Sequence, residues 1–575
     1  MVSLAGQIAL IIGLLFALAQ GVIPLWGIAR RNPYALAAAR PCALGQFFCI
    51  LMAFTLLTIA FVQSDFAISY VAQNSHPTLP FLYRLTAVWG GHEGSILLWI
   101  LILNIWTMAF TFCQKNNPNL PLVLAVLGLM SVSFLCFLLL TSNPFLSSIG
   151  IQTGHDLNPL LQDPGFVIHP PMLYMGYVGF SVAFAITLAA LIKGELDTTW
   201  ARVTRQFAIA AWCFLTFGIM LGSWWAYRVL GWGGFWFWDP VENASLLPWL
   251  SGTALIHVLV MTEKRGTAKA WSAFLALITF ALSLLGTFLI RSGVLISAHT
   301  FANDPERGVF LLLLLAILVT AALAIYLSRL SVLTAKQSLS SSRELALLLN
   351  SVLLFIAMLT ILLGTLYPLL LDALHLGVIS VGAPYFNQVM KPLVIITLLF
   401  MLLAPFSTWR HRTLSRIKSF KLSSGMALAH TGFFVLMMGI LLSSAFSIER
   451  EVKLKPGSEA AIGPYRFLFL DTNGITGSNY RGIRASFDVT KQGRHIVNLY
   501  PEKRIYTVRD MVMTKVDIHP SIFRDLYIAL GEPLDQNSWS IRLYYKPFIR
   551  WIWGGGLLMI IGGIVGIRTS YRKAT

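Results

Sequence analysis

The chain has 575 residues, of which 57% are hydrophobic and only 11% are charged. A typical soluble domain is about 25% charged, and the mean hydropathy here is +0.73. These values exclude a soluble globular enzyme, a disordered chain and a fibrous repeat protein. The five cysteines lie in apolar stretches without a Cys-x-x-Cys spacing, which excludes a secreted disulfide scaffold. The composition therefore predicts a polytopic membrane protein.

Thirteen apolar stretches are long enough to cross a bilayer as helices, because a hydrocarbon core of about 30 Å needs about 20 such residues. The first lacks a preceding basic residue and an Ala-x-Ala exit, so we expect a retained span rather than a cleaved signal peptide. We predict an all-α polytopic membrane protein with about thirteen transmembrane helices and a small β-rich periplasmic domain. The predicted spans are 4–26, 42–62, 94–113, 120–140, 171–192, 207–223, 246–262, 272–290, 309–328, 346–366, 392–408, 426–446 and 551–567.

Most of the net charge of +18 is explained by membrane topology. The connections between spans fall into two alternating sets, one on each side of the membrane. The set that includes the C-terminal tail contains 21 Lys and Arg residues, the other set contains 5, and residues 447–550 contain 16. Because basic residues mark cytoplasmic connections, we expect the N-terminus and residues 447–550 outside and the C-terminus inside. This distribution disfavours nucleic-acid binding, and the nearly uncharged spans disfavour a carrier that works through intramembrane ion pairs.

Residues 447–550 have a different pattern, with short alternating runs that predict strands at 465–470, 485–490 and 496–500. Residues 491–494 have the composition of a hairpin turn, and Asn473-Gly474 is a second turn signal. The predicted domains are a transmembrane core with an outer Trp-rich loop, a periplasmic β-rich domain, and a final span with a cytoplasmic tail, at 1–446 (loop 224–245), 447–550 and 551–575.

Two of the eleven histidines lie inside predicted spans, His257 in the seventh and His430 in the twelfth. Each is about five residues, or roughly 7 Å at 1.5 Å per residue, from the same predicted inner face. Two imidazoles at one depth on two helices suit axial ligation of an iron porphyrin. The alternative is that each histidine makes one hydrogen bond between helices.

A second pair of histidines lies at the predicted outer face. His169 precedes Pro170 and Pro171, and because proline suits the first turn of a helix, we expect the prolines to begin the fifth span. His169 would then be the last extended residue before that span. His299 follows the eighth span. Both could approach one ligand from opposite sides, although the spacing alone equally suits two ordinary interfacial histidines.

The densest aromatic stretch of the chain lies between these two histidines. An interfacial aromatic belt explains a few such residues, but not this density with two adjacent glycines. Glycines allow a flat ligand to approach the backbone, and aromatic faces then stack on that ligand. A shorter segment, 89–95, also contains Trp-Gly-Gly. It is either a ligand contact or a turn packed on the platform. The predicted platform consists of Trp232, Gly233, Gly234, Phe235, Trp236, Phe237, Trp238 and Asp239.

The stretch WGGFWFWDPVENA resembles the WWD signature of membrane haem-handling proteins. The segments FVIHPPMLYMGYVGFS, SGTALIHVLVMTEKRG and FLIRSGVLISAHTFANDPERG resemble the CcmF/NrfE family of cytochrome c-type biogenesis haem lyases, as does nearly the whole chain. Phe235 stands where the signature usually has Trp. The resemblance implies that His169 and His299 ligate the haem being transferred. It also implies that His257 and His430 hold a permanent b-type haem.

By this resemblance the protein is a haem lyase of the bacterial inner membrane that acts in a complex. Haem would come from a carrier resembling CcmE and be reduced through the b-type haem, with quinol as a candidate electron donor. The apocytochrome c, with its CxxCH motif, would be presented by CcmH/CcmI-like subunits. NrfF/NrfG-like subunits would do so in the nitrite-reductase branch. The connection between the eleventh and twelfth spans looks shorter than in the longest members, as in that branch, and the choice of branch stays open.

Two other functions compete with this interpretation. A haem exporter would need a pore lined with polar groups, which the uncharged spans disfavour. A haem-presenting module without redox work, like the CcmC proteins, would lack an equivalent of the His257 and His430 pair. The chain has no CxxCH motif of its own, so it is not itself a c-type cytochrome.

Overall fold

The computed structural model describes residues 1–148, 153–294, 305–333, 341–403, 423–535 and 537–571. Over these ranges, thirteen helical segments are long and apolar enough to cross a membrane, with α2 and α3 together forming the second. Each overlaps one predicted span, so the predicted fold class is confirmed. The helices are α1 (Val2–Arg30), α2 (Pro33–Ala37), α3 (Ala39–Gln63), α4 (Ser69–Asn74), α5 (Phe81–Thr86), α6 (His92–Cys113), α7 (Leu120–Thr141), α8 (Pro164–Lys193), α9 (Thr198–Val229), α10 (Pro240–Arg265), α11 (Lys269–Arg291), α12 (Pro305–Ser328), α13 (Leu330–Leu333), α14 (Ser342–Ala373), α15 (Ala383–Leu403), α16 (Ser424–Phe446) and α17 (Ile549–Tyr571).

Helix α8 begins earlier than the sequence prediction. Asp163 is its N-cap and accepts a hydrogen bond from the Gly165 amide, and Pro164 occupies the first turn. An acidic cap followed by proline is a strong helix start, and it overrides the loss of helical hydrogen bonds at Pro170 and Pro171. The prediction that these prolines begin the span is therefore wrong, and His169 is a helical residue rather than an extended one.

The Trp-rich loop is shorter than the predicted segment 224–245, because the flanking helices extend into it. Helix α9 continues to Val229, and α10 begins at Pro240, so only residues 230–239 connect them. Helix α10 starts with a capping box in which Asp239 caps the helix and Glu242 reciprocates. Such a box satisfies amides that a helix start leaves without partners.

Helices α16 and α17 pack with their backbones in direct contact through glycines at seven-residue spacing. A Cβ built on Gly432 would lie 2.6 Å from both the Gly555 carbonyl oxygen and the Met559 amide nitrogen. Gly425 and Gly439 face α17 in the same way. In a membrane, helices associate mainly through such close packing of small residues, since lipid tails are as apolar as the side chains. Helix α17 also packs on α9, which joins this pair to the rest of the bundle.

Between α16 and α17 the chain forms a β-rich domain of two antiparallel sheets. One sheet has the order β1-β10-β9-β8, and the other β2-β3-β4-β6-β7 with β5 paired to β4. Apolar side chains such as Phe467, Phe469 and Phe487 alternate inward and are fully buried. The strands are β1 (Ile448–Leu454), β2 (Glu459–Ile462), β3 (Tyr465–Thr476), β4 (Tyr480–Lys491), β5 (Arg494–Leu499), β6 (Glu502–Tyr506), β7 (Met511–Lys515), β8 (Asp517–His519), β9 (Arg524–Pro533) and β10 (Trp539–Pro547).

One of the two predicted turns in this domain is confirmed and the other is wrong. Gln492 and Gly493 both have positive φ and join β4 to β5 as expected. Asn473 and Gly474 instead lie inside β3, paired with Arg484 and Ile483 of β4. The long β3–β4 ladder supplies enough backbone hydrogen bonds to override the local turn preference.

The tip of the β3–β4 hairpin fastens the domain to the loop that precedes α8. Asn479 donates through Nδ2 to Asp156 Oδ2 at 2.7 Å and to Gln162 Oε1 at 2.9 Å. Arg509 Nε donates to the Asp156 carbonyl at 2.6 Å. Asp156 is fully buried, and burial raises the pKa of its carboxyl, while the hydrogen bonds from Asn479, Leu157 and Gln162 act in the opposite direction.

The glycine packing predicts different effects for substitutions at two adjacent positions in α17. A Cβ at Gly555 would overlap the Leu436 backbone, whereas one at Gly554 has no neighbour within 4 Å. We expect Gly555→Ala to destabilise the protein by about 1–3 kcal/mol through overpacking. Gly554→Ala should be neutral or slightly stabilising because alanine favours helix. Thermal unfolding of the purified protein measures both, and equal midpoints for the two variants would contradict the packing argument.

The hairpin contact predicts a pH-dependent effect of Asn479→Ala. The variant removes the Asn479 side-chain donor, one of the groups that oppose the raised pKa of Asp156, so that pKa should rise further. The docked carboxyl then holds its proton better than the undocked one, and the stability of docking falls as pH rises from the ordinary value of 3.8 through the docked pKa.

We therefore expect a melting temperature near that of the wild type in acid and a growing deficit towards neutral pH. Asn498→Ala, at an exposed position in β5, is the matched control. Parallel pH curves for Asn479→Ala and the wild type would argue against this account.

Candidate functional site

The structure brings His257 of α10 and His430 of α16 together. Their ring centroids are 6.1 Å apart and the ring planes differ by only 9°. Two imidazoles that ligate one metal ion from opposite sides would have centroids roughly 6 Å apart, because each metal–nitrogen bond is about 2 Å and each ring adds about 1 Å. The observed centroid distance matches this value, and it is too long for a direct hydrogen bond between the two rings.

The His257 ring has a hydrogen-bond partner on another helix. Its Nδ1 lies 3.1 Å from the side-chain Nδ2 of Asn350 on α14. Metal-ligating histidines usually use one nitrogen for the metal and the other for such a partner. Sequence reasoning missed Asn350, although an asparagine inside an apolar span is a signal of a functional contact.

The two histidines come from different parts of the helix bundle. Helix α10 packs on α9, α11 and α14, whereas α16 packs on α17. His257 lies nearer the Arg265 end of α10, and His430 lies near the start of α16, so both are far from the β-rich domain that follows α16. Both side chains are half-buried. The pair thus spans two helix groups at one level of the bundle.

His169 is oriented by helix α9. Its Nδ1 lies 2.8 Å from the Gly218 carbonyl oxygen, and its ring covers Gly222, where a Cβ would lie 2.6 Å from the ring. A carbonyl oxygen can only accept, so Nδ1 carries the proton and Nε2 carries the lone pair that a metal needs. His299, its predicted partner, lies outside the residues that the structure describes.

The first half of the Trp-rich loop packs against the β-rich domain. Gly233 has a φ of +63°, and a Cβ there would lie 2.7 Å from the Tyr544 ring of β10. Phe235 packs against the cluster that contains Tyr527 and Tyr544. Gly233 is thus required for contact with the β-rich domain, which sequence reasoning did not anticipate. Gly234 faces Phe237 within the loop.

The second half of the loop is held by α10 and α15. Trp238 has a φ of +56°, stacks on Phe386 with centroids 5.0 Å apart, and donates from Nε1 to Asn387 Oδ1 at 2.9 Å. Glu242 accepts from the amides of Phe237 and Asp239.

Asp239 caps α10, and this cap is the role that the structure supports for it. The two ends of the loop are thereby fixed. Among the aromatic residues between them, Trp232 remains 56% exposed, and Trp236 makes an edge contact with Trp238.

The segment 89–95 forms a turn that packs against the bundle. The Gly91 amide donates to the Tyr70 hydroxyl at 2.9 Å, and Trp89 Nε1 lies 3.5 Å from the Phe166 carbonyl oxygen. His92 is the first residue of α6. The buried Arg291 of α11, which sequence reasoning did not single out, donates to the His92 carbonyl at 3.1 Å and to Ser95 Oγ at 3.0 Å.

Comparisons with known proteins extend over the whole chain. Residues 89–296 match the family described as Cytochrome C assembly protein, and residues 445–547 match the CcmF C-terminal beta-sandwich. The cytochrome c-type biogenesis protein CcmF of Pseudomonas aeruginosa is 47% identical over 100% of this chain and 97% of its own. CcmF of Escherichia coli is 44% identical, covering 99% and 97%. NrfE of Haemophilus influenzae is 38% identical, covering 96% of each chain. A solved structure, Cytochrome c Heme Lyase CcmF, is 26% identical with a TM-score of 0.82 and covers 98% of each chain.

The contact between the loop and the β-rich domain predicts a graded effect at two glycines. Gly231 and Gly233 both have positive φ, but a Cβ at Gly231 would only touch Thr514 at 3.9 Å. Gly231→Ala should cost about 1 kcal/mol from backbone strain, and Gly233→Ala should cost more because it also displaces Tyr544. Thermal unfolding and accessibility of Trp232 to a fluorescence quencher measure the difference. Equal effects of the two variants would contradict the assigned contact.

Proposed function

Because the chain belongs to the CcmF/NrfE family of cytochrome c-type biogenesis proteins, we propose that it is the haem lyase subunit of a bacterial cytochrome c maturation system. It receives haem on the Trp-rich loop, keeps the iron reduced, and promotes its attachment to apocytochrome c. The observation that carries the redox part of this proposal is the parallel pair His257 and His430, with centroids 6.1 Å apart.

His257 and His430 are the residues that would hold a resident b-type haem. A haem held by both imidazoles would supply electron transfer rather than binding of a further ligand. The imidazoles come from α10 and α16, so the chain orients them by the packing of two helix groups. Asn350 occupies Nδ1 of the His257 ring and leaves Nε2 for a metal, which supports the assignment of this ring as a ligand.

The substrate haem is assigned to the opposite level of the bundle, beside α8 and the loop 230–239. His169 supports this because its Nδ1 is bonded to the Gly218 carbonyl and its Nε2 is the nitrogen suited to a metal. His299 is proposed as the second ligand on the family resemblance alone. The aromatic residues of 232–238 would stack on the porphyrin, with Trp232 the most exposed of them.

The attachment itself needs positioning more than acid–base catalysis. Each cysteine thiol adds across one vinyl group: the sulfur bonds to one vinyl carbon and the proton goes to the other. The addition is redox-neutral overall and consumes no electron. Reduction of the haem iron is therefore a separate requirement. Holding haem and the two thiols in register is the contribution expected of the protein.

We also propose a membrane location, a division into domains and a set of partners for the protein. The distribution of basic residues supports an inner-membrane protein with its N-terminus and β-rich domain in the periplasm and its C-terminus in the cytoplasm. The strands within 448–547 and the family match over 445–547 support the division into domains at 1–446, 447–550 and 551–575. We propose a CcmE-like haem carrier, CcmH/CcmI-like or NrfF/NrfG-like subunits, apocytochrome c and quinol as partners.

We place the protein in the general lyase branch rather than the nitrite-reductase branch. The CcmF relatives named above are 47% and 44% identical, against 38% for NrfE. A haem exporter or a plain haem-presenting module is the alternative function. The close approach of His257 and His430 disfavours both, because neither function requires an electron-transferring centre on the far side of the bundle from the Trp-rich loop.

The test is the colour and activity of four histidine variants. Full-length protein purified without added haem should show a reducible, low-spin b-type spectrum. His257→Ala and His430→Ala should each abolish it, because one imidazole cannot provide both axial ligands. His169→Ala and His299→Ala should keep the spectrum but stop cytochrome c assembly in cells. Optical spectra and haem staining of the assembled cytochrome measure the two effects.

The control is His495→Ala, at an exposed histidine that pairs with Asp488 in the β-rich domain. It should keep both the spectrum and the assembly activity. If all four variants behave like this control, the ligand assignments are wrong. A wild-type protein that supports cytochrome c assembly but shows no b-type spectrum would instead favour a module without the internal haem.

A further inference from the structure

We propose that Asn350 of α14 is a positioning residue that orients His257 and sets the reduction potential of the iron centre shared with His430. This inference rests on the proposed function. The Asn350 amide lies 3.1 Å from His257 Nδ1, and both side chains are half-buried in the bundle. Asn350 lies in the apolar sequence Leu347-Leu348-Leu349-Asn350. Burying an amide there is costly unless it makes a specific hydrogen bond.

The chemistry of the amide fits the needs of a ligand histidine. To bind iron through Nε2, an imidazole must carry its proton on Nδ1 and donate it to an acceptor. The Asn350 carboxamide can present either nitrogen or oxygen to the ring by a half-turn of its last bond. Its oxygen therefore provides the acceptor when Nε2 faces a metal. A leucine, which fills the neighbouring positions, provides none.

Helix α14 holds Asn350 firmly beside α10. The residue after it, Ser351, is fully buried and accepts from Trp271 Nε1 at 3.0 Å. At the start of the helix, Glu344 forms a capping box with Ser341 and accepts from Thr267 Oγ1 at 3.1 Å. These contacts tie α14 to the connection between α10 and α11. The amide is thus presented by an anchored element, as a positioning group requires.

The hydrogen-bond partner of His257 can be changed by a single substitution. His257 depends on a side chain from another helix. Asn350 is therefore the position where the donor strength of one axial ligand is adjustable. A stronger acceptor at Nδ1 gives the imidazole more anionic character, which stabilises the oxidised iron and lowers the potential.

The experiment compares Asn350→Leu, Asn350→Asp and the control Thr360→Val. Thr360 lies further along α14, and among the described residues its hydroxyl donates to the Ile356 carbonyl of its own helix. Full-length holoprotein is titrated spectroelectrochemically, and haem transfer to excess apomyoglobin measures retention. We expect Asn350→Leu to raise the midpoint potential and to weaken haem retention roughly 10- to 100-fold. Asn350→Asp should retain haem and lower the potential below the wild-type value.

The measurements distinguish a failure of the role of Asn350 from a failure of the proposed function. If His257→Ala and His430→Ala abolish the spectrum, but both Asn350 variants match Thr360→Val in potential and retention, only the role of Asn350 is refuted. Loss of haem from Asn350→Asp would also refute it, because aspartate keeps the acceptor. If the histidine variants keep their colour, the proposed function itself fails. A merely structural hydrogen bond would change the melting temperature but would not move the potential in opposite directions.

Discussion

The direct backbone contact between α16 and α17 is the interaction on which the rest of the structure depends. In a bilayer the hydrophobic effect does not hold two apolar helices together, so their separation is set by side-chain size at the contact. Glycines at 425, 432 and 439 let the helices touch. This contact fixes the rotation of α16, and thereby the direction in which His430 faces α10. It also sets the distance between the C-terminus of α16 and the N-terminus of α17, which are the two points where the β-rich domain is attached.

The Trp-rich loop is a second case in which glycine serves protein packing. A glycine pair among tryptophans suggests that a ligand contacts the bare backbone. However, the space beside Gly233 is occupied by the Tyr544 ring. At the other end, Phe386 and Asn387 of α15 hold Trp238. The loop is therefore an aromatic surface supported from both sides. Its orientation depends on residues more than a hundred positions away in sequence.

The sequence predicted the spans well because hydropathy over about 20 residues is a strong, local signal. It also paired His257 with His430, because that pairing requires only the depth of each residue within its predicted span. It misplaced the start of α8, where Asp163 and Pro164 form a better cap than the later prolines. It misread Asn473-Gly474, where ladder pairing overrides a local turn preference. Asn350, Arg291 and Tyr544 could not be assigned, because their roles come from contacts between elements distant in the chain.

The connections between the β-rich domain and its two helices are very short. Only Ser447 separates α16 from β1, and only Phe548 separates β10 from α17. Strand β10 carries Tyr544 against the Trp-rich loop, and α16 carries His430 at the opposite level. The domain is thus joined to both helices by single residues rather than by long linkers. A tilt of the domain would therefore displace the Trp-rich loop, through Tyr544, and helix α16, which carries His430, together.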